Sequence, residues 1–363
     1  MFIKVVDGID ISFNWRLTMI TITACMIVKN EEEVLKRCLD SLKNLVDEIV
    51  IVDTGSTDLT KEIAKTYTDK VYDFTWVHDF AAARNYSFSK ATMDYIYVAD
   101  ADEEIDTENQ EKFRMLKEAM LPEIEIVQMY YTNQLQYGTT YNYDKEYRPK
   151  LYRRLREFMW QDPIHETVAL DPVIYDSDIE IIHRPTMSHA KRDFNNFYVI
   201  LNKGERLSPK LTHMFAKELF IAGEDDDFIK AGEYFDEWQK DTTRTSEECS
   251  YIQCVLAKYA RLQGNLELLM KVALKNIASK ASSEVCYELG EHYFELEDYE
   301  EALIWYYNAA YETECQLNIH YGGDYPLMKL ADCYRELGNV EQTRAYEELA
   351  KNWSLSVNSR DAF

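Results

Sequence analysis

From residue 21 onward the chain alternates short apolar runs with segments of helical period, and the apolar runs stop at clusters of polar residues. That alternation marks βαβ units, which build a largely parallel sheet. The spacing predicts strands over 21–28, 48–52, 70–74 and 95–99, with helices over 31–43, 57–67 and 80–90 between them. Three of these strands run into Lys29-Asn30, into Asp53-Thr54-Gly55-Ser56 and into Asp100-Ala101-Asp102. In an open α/β sheet a ligand lies across the carboxyl ends of the strands, so the three clusters are expected to converge on one crevice. The acidic tips near 53 and 100–102 are expected to sit on neighbouring strands and to face each other.

After Pro122 the pattern changes to strands and turns, with apolar or alternating pieces at 124–131, 150–154 and 179–183. Tyr and Gln are dense between 128 and 147, which fits both a loop presenting side chains to an acceptor and a plain two-sided hairpin. From about Phe194 only helical periodicity remains. The pairs Tyr259/Leu262, Tyr293/Leu296 and Tyr334/Leu337 recur 34 and then 41 residues apart, with room for an insertion around 319–326. Helix-turn-helix units of that period resemble tetratricopeptide repeats, which stack because no unit buries its apolar face alone. A non-repeating helical bundle is the alternative. At 363 residues the chain exceeds one ordinary core. The expected division is an N-terminal extension over 1–20, an α/β domain over 21–192 and a helical domain over 193–363.

Composition narrows the function classes. Asp and Glu total 65 against 40 Lys and Arg, a formal charge of -25, which argues against nucleic acid and anionic lipid as partners. The longest apolar runs, such as 20–28, are too short to span a bilayer, and Asp7 and Asp10 interrupt the place of a signal-peptide core. No transmembrane segment is expected, and the cytoplasm is the simplest location. Seven cysteines without a CxxC pair fit reduced, buried thiols.

The chemistry centres on Asp100-Ala101-Asp102. A nucleotide sugar carries a diphosphate that must leave with its charge neutralised, and a hard divalent cation held by carboxylates does this. Two carboxylates at a strand end can serve one ribose hydroxyl and one metal. An acidic pair in so acidic a chain is also what a solvated turn looks like. Asp53, closing the second strand, can accept hydrogen bonds from a base or ribose, or can cap the following turn, a task that suits Ser56 or Thr57 better. GxGxxG and GxxxxGK[ST] are both missing, so a dinucleotide oxidoreductase or a P-loop enzyme lacks its phosphate cradle.

Four stretches carry a specific resemblance: 26–32 (MIVKNEE), 51–58 (IVDTGSTD), 79–85 (DFAAARN) and 99–103 (ADADE). In this order they resemble the family 2 glycosyltransferases of the GT-A fold. Residues 147–154 and Ile164-His165-Glu166 are similar to the acceptor half of the subgroup with C-terminal tetratricopeptide repeats, which includes the sublancin-type peptide S-glycosyltransferases. The resemblance implies a GT-A Rossmann-like domain, a UDP-sugar donor such as UDP-glucose or UDP-N-acetylhexosamine, and Mn2+ or Mg2+. It implies that Val28, Asn30 and Asp53 line the nucleobase and ribose pocket, that Arg84 approaches the diphosphate or sugar, that Asp100 meets the ribose or sugar, and that Asp102 meets the metal. The family reaction is displacement at the anomeric carbon with inversion, which needs a base for the acceptor proton. Glu166 is the candidate and Asp162 the alternative. A histidine late in the domain often completes the metal site in this family; His183 fits best, with His165 and His189 competing. Arg148, Lys150, Arg153 and Arg154 form a basic cluster that either holds diphosphate or balances the acidic surface.

The leading expectation is transfer of a sugar to a peptide or protein side chain, with the repeats gripping an extended acceptor. A cell-envelope glycan or lipid-linked acceptor is the second, and a non-catalytic repeat scaffold the third. A repeat domain also allows a homodimer.

Overall fold

The computed structural model describes residues 19–121, 123–132, 145–156, 160–161, 167–168, 172–184, 190–204 and 206–353. The chain runs β1 (Ile22–Val28), α1 (Leu35–Leu42), β2 (Glu48–Asp53), α2 (Thr60–Lys65), β3 (Val71–Asp73), α3 (Phe80–Phe88), β4 (Tyr95–Ala99), β5 (Glu103–Glu104) and α4 (Thr107–Ala119). It continues through β6 (Ile126–Thr132), β7 (Glu146–Arg153), β8 (Trp160–Gln161), β9 (Thr167–Val168) and β10 (Ile174–His183). Eight strands form one sheet in the order β3-β2-β1-β4-β7-β6-β10-β5, and β8 pairs with β9 apart from it.

The first four strands are parallel, as the alternation requires. Their order places the topological switch between β1 and β4, the position at which diverging loops leave a crevice in open α/β sheets. Beyond β4, β7 runs antiparallel to both of its neighbours, so the sheet is mixed. Strand β1 shows why the sheet is central. Ala24, Met26 and Val28 pack on one face with Leu35, Leu39 and Leu42 of α1 and Phe113 of α4, while Cys25 points to the other face with Val50, Ile96 and Phe88 of α3. A strand buried on both sides reads as a continuous apolar run, which is what the sequence showed. The small Ala81 and Ala83 of α3 are buried, so that helix lies close on the sheet.

At the edge away from the crevice, the buried Glu48 carboxylate ties strands together by accepting from Thr23 of β1 and from the backbone and hydroxyl of Thr92 just before β4. Three predicted helices are shorter than their patterns. α2 begins at Thr60 with Leu59 as N-cap, because Asp58 caps Thr60 N–H and Glu32 caps Leu59 N–H in place of Ser56 or Thr57.

The remainder is helical: α5 (Ala190–Asn202), α6 (Pro209–Ala222), α7 (Asp225–Trp238), α8 (Ser246–Leu262), α9 (Leu266–Ser279), α10 (Ser283–Glu295), α11 (Tyr299–Tyr307), α12 (Asp324–Glu336) and α13 (Val340–Asn352). The pairs α8/α9, α10/α11 and α12/α13 are hairpins with one turn chemistry. The first helix ends in a left-handed residue, Gly264, Glu297 or Gly338, and the second opens on an N-cap, Asn265, Asp298 or Asn339. In each turn the N-cap N–H returns to a carbonyl five residues back, on Ala260, Tyr293 and Tyr334 respectively, which is the Schellman arrangement. The long spacing before the third hairpin is taken up by a π-turn at Asn308–Glu312 and a 3-10 turn at Ile319–Gly322. Helices α5–α10 surround a core built on Phe197, Phe215, Phe228, Phe235 and Leu256, and α11–α13 pack around a smaller one on Ala302, Tyr306, Leu330 and Ala350, both distinct from the core of the sheet.

Candidate functional site

The carboxyl ends of β2, β1 and β4 lie side by side. Val28 is in register with Asp53, and Met26 with Ala99, so β1 stands between the two acidic tips. The tips are therefore not on neighbouring strands, as their sequence pattern suggested. They are two strand spacings apart, roughly 10 Å, a distance for an extended ligand to span.

The 53 side of this crevice is organised by local hydrogen bonds. Asp53 is buried, and its carboxylate accepts from Gly55 N–H at 3.1 Å and from Ser56 N–H at 3.1 Å, so it closes its own turn. Gly55 sits at φ +104°, which a side chain would strain. Asn30 adopts φ +55°; its N–H donates to Ser56 Oγ at 2.9 Å and its Oδ1 accepts from Thr57 N–H at 2.8 Å. It thereby staples the loop after β1 to the loop after β2. The buried Val28 supplies the apolar floor beside them.

The 100 side carries a compact set of charges. Asp100 keeps 46% of its side-chain surface open, with Arg84 Nη2 of α3 at 3.6 Å from Oδ1 and Lys150 Nζ of β7 at 3.9 Å from Oδ2. Burial alone would raise the Asp100 pKa, but Lys150, Arg84 and Arg148 outweigh it and hold the carboxylate at about 2. Beneath it Lys150 is 4% exposed and is paired with Glu103, which is 2% exposed. The other Glu103 oxygen accepts from Asp100 N–H at 3.2 Å. Burial pushes Glu103 up to about 7 against the pull of Lys150. Its place under the turn makes it a support and not a base for an acceptor.

Asp102 and His183 meet although 81 residues separate them. His183 ends β10, which pairs with the two-residue β5 directly after the acidic turn, and its Nε2 lies 3.0 Å from Asp102 Oδ2. The Tyr131 ring backs His183 at 4.9 Å, and the Arg148 guanidinium lies over the Tyr131 ring at 3.8 Å from its centroid. Arg37 of α1 fixes the loop ends by donating to Arg184 O at 2.8 Å and to Asp102 O at 3.5 Å. An oxygen and a nitrogen donor about 3 Å apart match two adjacent corners of an octahedral cation with bonds near 2.1 Å. Among the described residues no group of three His, Cys, Asp or Glu side chains could hold a metal ion. The pair fits a cation that takes its other ligands from a substrate and water.

The basic cluster splits. Lys150 and Arg148 lie toward the crevice, whereas Arg153 is paired with Tyr95 at the opposite end of β4 and Arg154 donates to Met93 O there. Glu166, Asp162, His165 and His189 lie outside the described residues. Glu103 and Arg37 had not stood out in the sequence. Glu103 adjoins the acidic pair, but nothing local announces that its side chain turns back under Asp100, and Arg37 reads as one more exposed charge on α1.

Residues 23–169 match the glycosyl transferase family 2 profile. Among curated relatives, the glycosyltransferase SunS of the SPbeta prophage in Bacillus subtilis is 28% identical over 228 residues, covering 58% of this chain and 51% of that protein. A TPR repeat-containing protein of Synechococcus elongatus is 48% identical over 87 residues, covering 24% of this chain and 22% of that one. The chain thus spans about half of the SunS length, and less of the cyanobacterial protein. Among solved structures, glucosyl-3-phosphoglycerate synthase of Mycobacterium tuberculosis, with Mg2+ and UDP, overlaps at a TM-score of 0.37 and 16% identity over 52% of this chain and 81% of that one.

Proposed function

We propose that this chain, whose residues 23–169 form a glycosyl transferase family 2 domain, moves a sugar from a UDP-sugar to a peptide or protein side chain with inversion at the anomeric carbon. The observation that carries the reading is the meeting of Asp102 with His183 at 3.0 Å beside Asp100, at the sheet's switch point. UDP-glucose and UDP-N-acetylhexosamine are the donors to try first.

In this reading the uridine lies at the 53 end, over Val28 and against the turn that Asp53 and Asn30 hold. Asp100 orients the ribose or the sugar, and Arg84 faces the diphosphate. Asp102 and His183 would hold Mn2+ or Mg2+, which when bound neutralises the charge developing on the departing diphosphate. The acceptor heteroatom forms its bond to the anomeric carbon as the bond to the diphosphate oxygen breaks, and UDP leaves with the electron pair. The acceptor proton passes to a base, for which Glu166 or Asp162 is proposed. A peptide acceptor is favoured by the likeness of 147–154 and 164–166 to the peptide-modifying subgroup and by helical hairpins able to grip an extended chain. Among the described residues no helix is long and apolar enough to cross a membrane, and a cytoplasmic site of action is proposed with it.

Incubation with UDP-sugars, Mn2+ and peptide acceptors tests the reading through UDP release. Turnover is expected in the wild type, with a loss of roughly a hundredfold or more in Asp102→Asn. A wild type that neither releases UDP nor gains melting temperature from UDP plus Mn2+ contradicts it.

A further inference from the structure

We propose that Lys150 positions the Asp100 carboxylate for the donor, and that Glu103 serves to hold Lys150 at that station. The inference rests on the reading of Asp100 as a donor-binding group.

Lysine is rarely buried unless its charge has work to do or a partner to meet. Lys150 is 4% exposed, and its ammonium reaches Glu103, Val98 O at 3.4 Å and the Asp100 carboxylate at 3.9 Å, with the Tyr131 ring at 5.3 Å. Three chain segments converge there: the end of β4 brings Asp100, the start of β5 brings Glu103, and β7 brings Lys150 from an antiparallel neighbour. Glu103 grips both partners, since one oxygen takes Lys150 and the other takes the Asp100 N–H. On the far side, Arg84 faces the remaining Asp100 oxygen at 3.6 Å. Each Asp100 oxygen thus has one cation at a distance longer than a hydrogen bond. Two flanking charges set the plane of the carboxylate without consuming its lone pairs, and its exposed edge stays open to the crevice.

A purely structural explanation would give Lys150 one task, neutralising Glu103. A buried ion pair of that kind is commonly replaceable by apolar residues of similar volume without loss of stability. The third group, Asp100, separates the two explanations.

The experiment is calorimetric titration of UDP in the presence of Mn2+, with ligand-free melting temperatures recorded alongside. The proteins are the wild type, Lys150→Met, Asp100→Asn, the Lys150→Met/Asp100→Asn double variant, and Lys150→Met/Glu103→Met. The apolar pair is expected to melt near the wild type yet to bind UDP roughly tenfold more weakly, the scale of losing one partly desolvated charge about 4 Å away. Lys150→Met is expected to weaken binding in the wild-type background and to add little when Asp100 is already Asn, because its effect passes through that carboxylate. Additive losses in that cycle, or an apolar pair that binds UDP as the wild type does, overturn the proposal. A wild type that binds no UDP with Mn2+ removes the donor reading itself and the role of Lys150 with it.

Discussion

His183 shows how a single side chain can join distant parts of the chain into one site. Its strand is long, and only the last two residues, Ile182 and His183, pair with Glu104 and Glu103, yet that short antiparallel register delivers the imidazole to Asp102. Tyr131 fixes the ring from behind. An imidazole so constrained gives a cation one fixed donor beside a carboxylate, and removing it leaves Asp102 to bind alone. His183→Ala is expected to raise the Mn2+ concentration needed for UDP-induced thermal stabilisation by at least about tenfold, the usual scale for losing an orienting or ligating group at a metal site. The ligand-free melting temperature should move much less, since His183 lies at the rim of the sheet and not in its core. A Mn2+ titration of the UDP-induced shift checks this, and an unchanged midpoint would place the cation elsewhere. The sequence put His183, at the end of a strand-like run, ahead of His165 and His189, but its meeting with Asp102 depends on a strand pairing that no local pattern encodes.

At the scale of elements, the parallel strands were legible because both of their faces are buried, so period and hydrophobicity agree. Helix α4 was not. Of its thirteen residues only Asn109 and Phe113 are buried, so its charged surface hides the helical period; its start is set by Asp106 capping Asn109 N–H. The two-residue β5 has no sequence signal at all, yet it carries Glu103 into the site. The helical hairpins were readable through their recurring Tyr and Leu, although the first copy is one residue out of step: Tyr293 and Tyr334 accept the closing turn bond, whereas Ala260, next to Tyr259, does so in the first. That shared turn exposes a weak point. Gly264 and Gly338 hold the left-handed position in two hairpins, but in the middle one Glu297 holds it at φ +61°. A non-glycine residue there costs about 1 kcal/mol. Glu297→Gly is therefore expected to stabilise the protein by ~0.5–1 kcal/mol, since relief of that strain exceeds the added flexibility of the unfolded chain. Chemical denaturation with an unchanged m-value would register it as a higher midpoint; a lower midpoint would mean that the Glu297 side chain does more than tolerate its turn.

At the scale of the whole molecule, the sheet and the helices keep separate cores, and two links between them among the described residues are polar. His78, in the loop after β3, lies 3.4 Å from Asn196 Oδ1 of α5, and Lys217 of α6 feels the charges of Glu146 and Arg148 on β7. Burial lowers the Lys217 pKa while Glu146 opposes that shift. Both links touch the crevice end of the sheet, which is where an acceptor held by the helices would have to be delivered. A polar seam of this kind couples two cores weakly compared with the packing inside each. The two halves should consequently unfold in separable steps, and perturbations should sort between them. Gly290 of α10 offers a clean perturbation of the helical half, because a Cβ there would meet the Tyr306 ring of α11 at 2.6 Å. Gly290→Val is expected to cost about 1–3 kcal/mol by overpacking. In differential scanning calorimetry it should lower the helical transition and leave the sheet transition in place, whereas UDP with Mn2+ should raise the sheet transition alone. If both perturbations instead move one common transition, the seam is strong enough to fuse the cores, and nucleotide occupancy would then be felt by the helices that hold the acceptor.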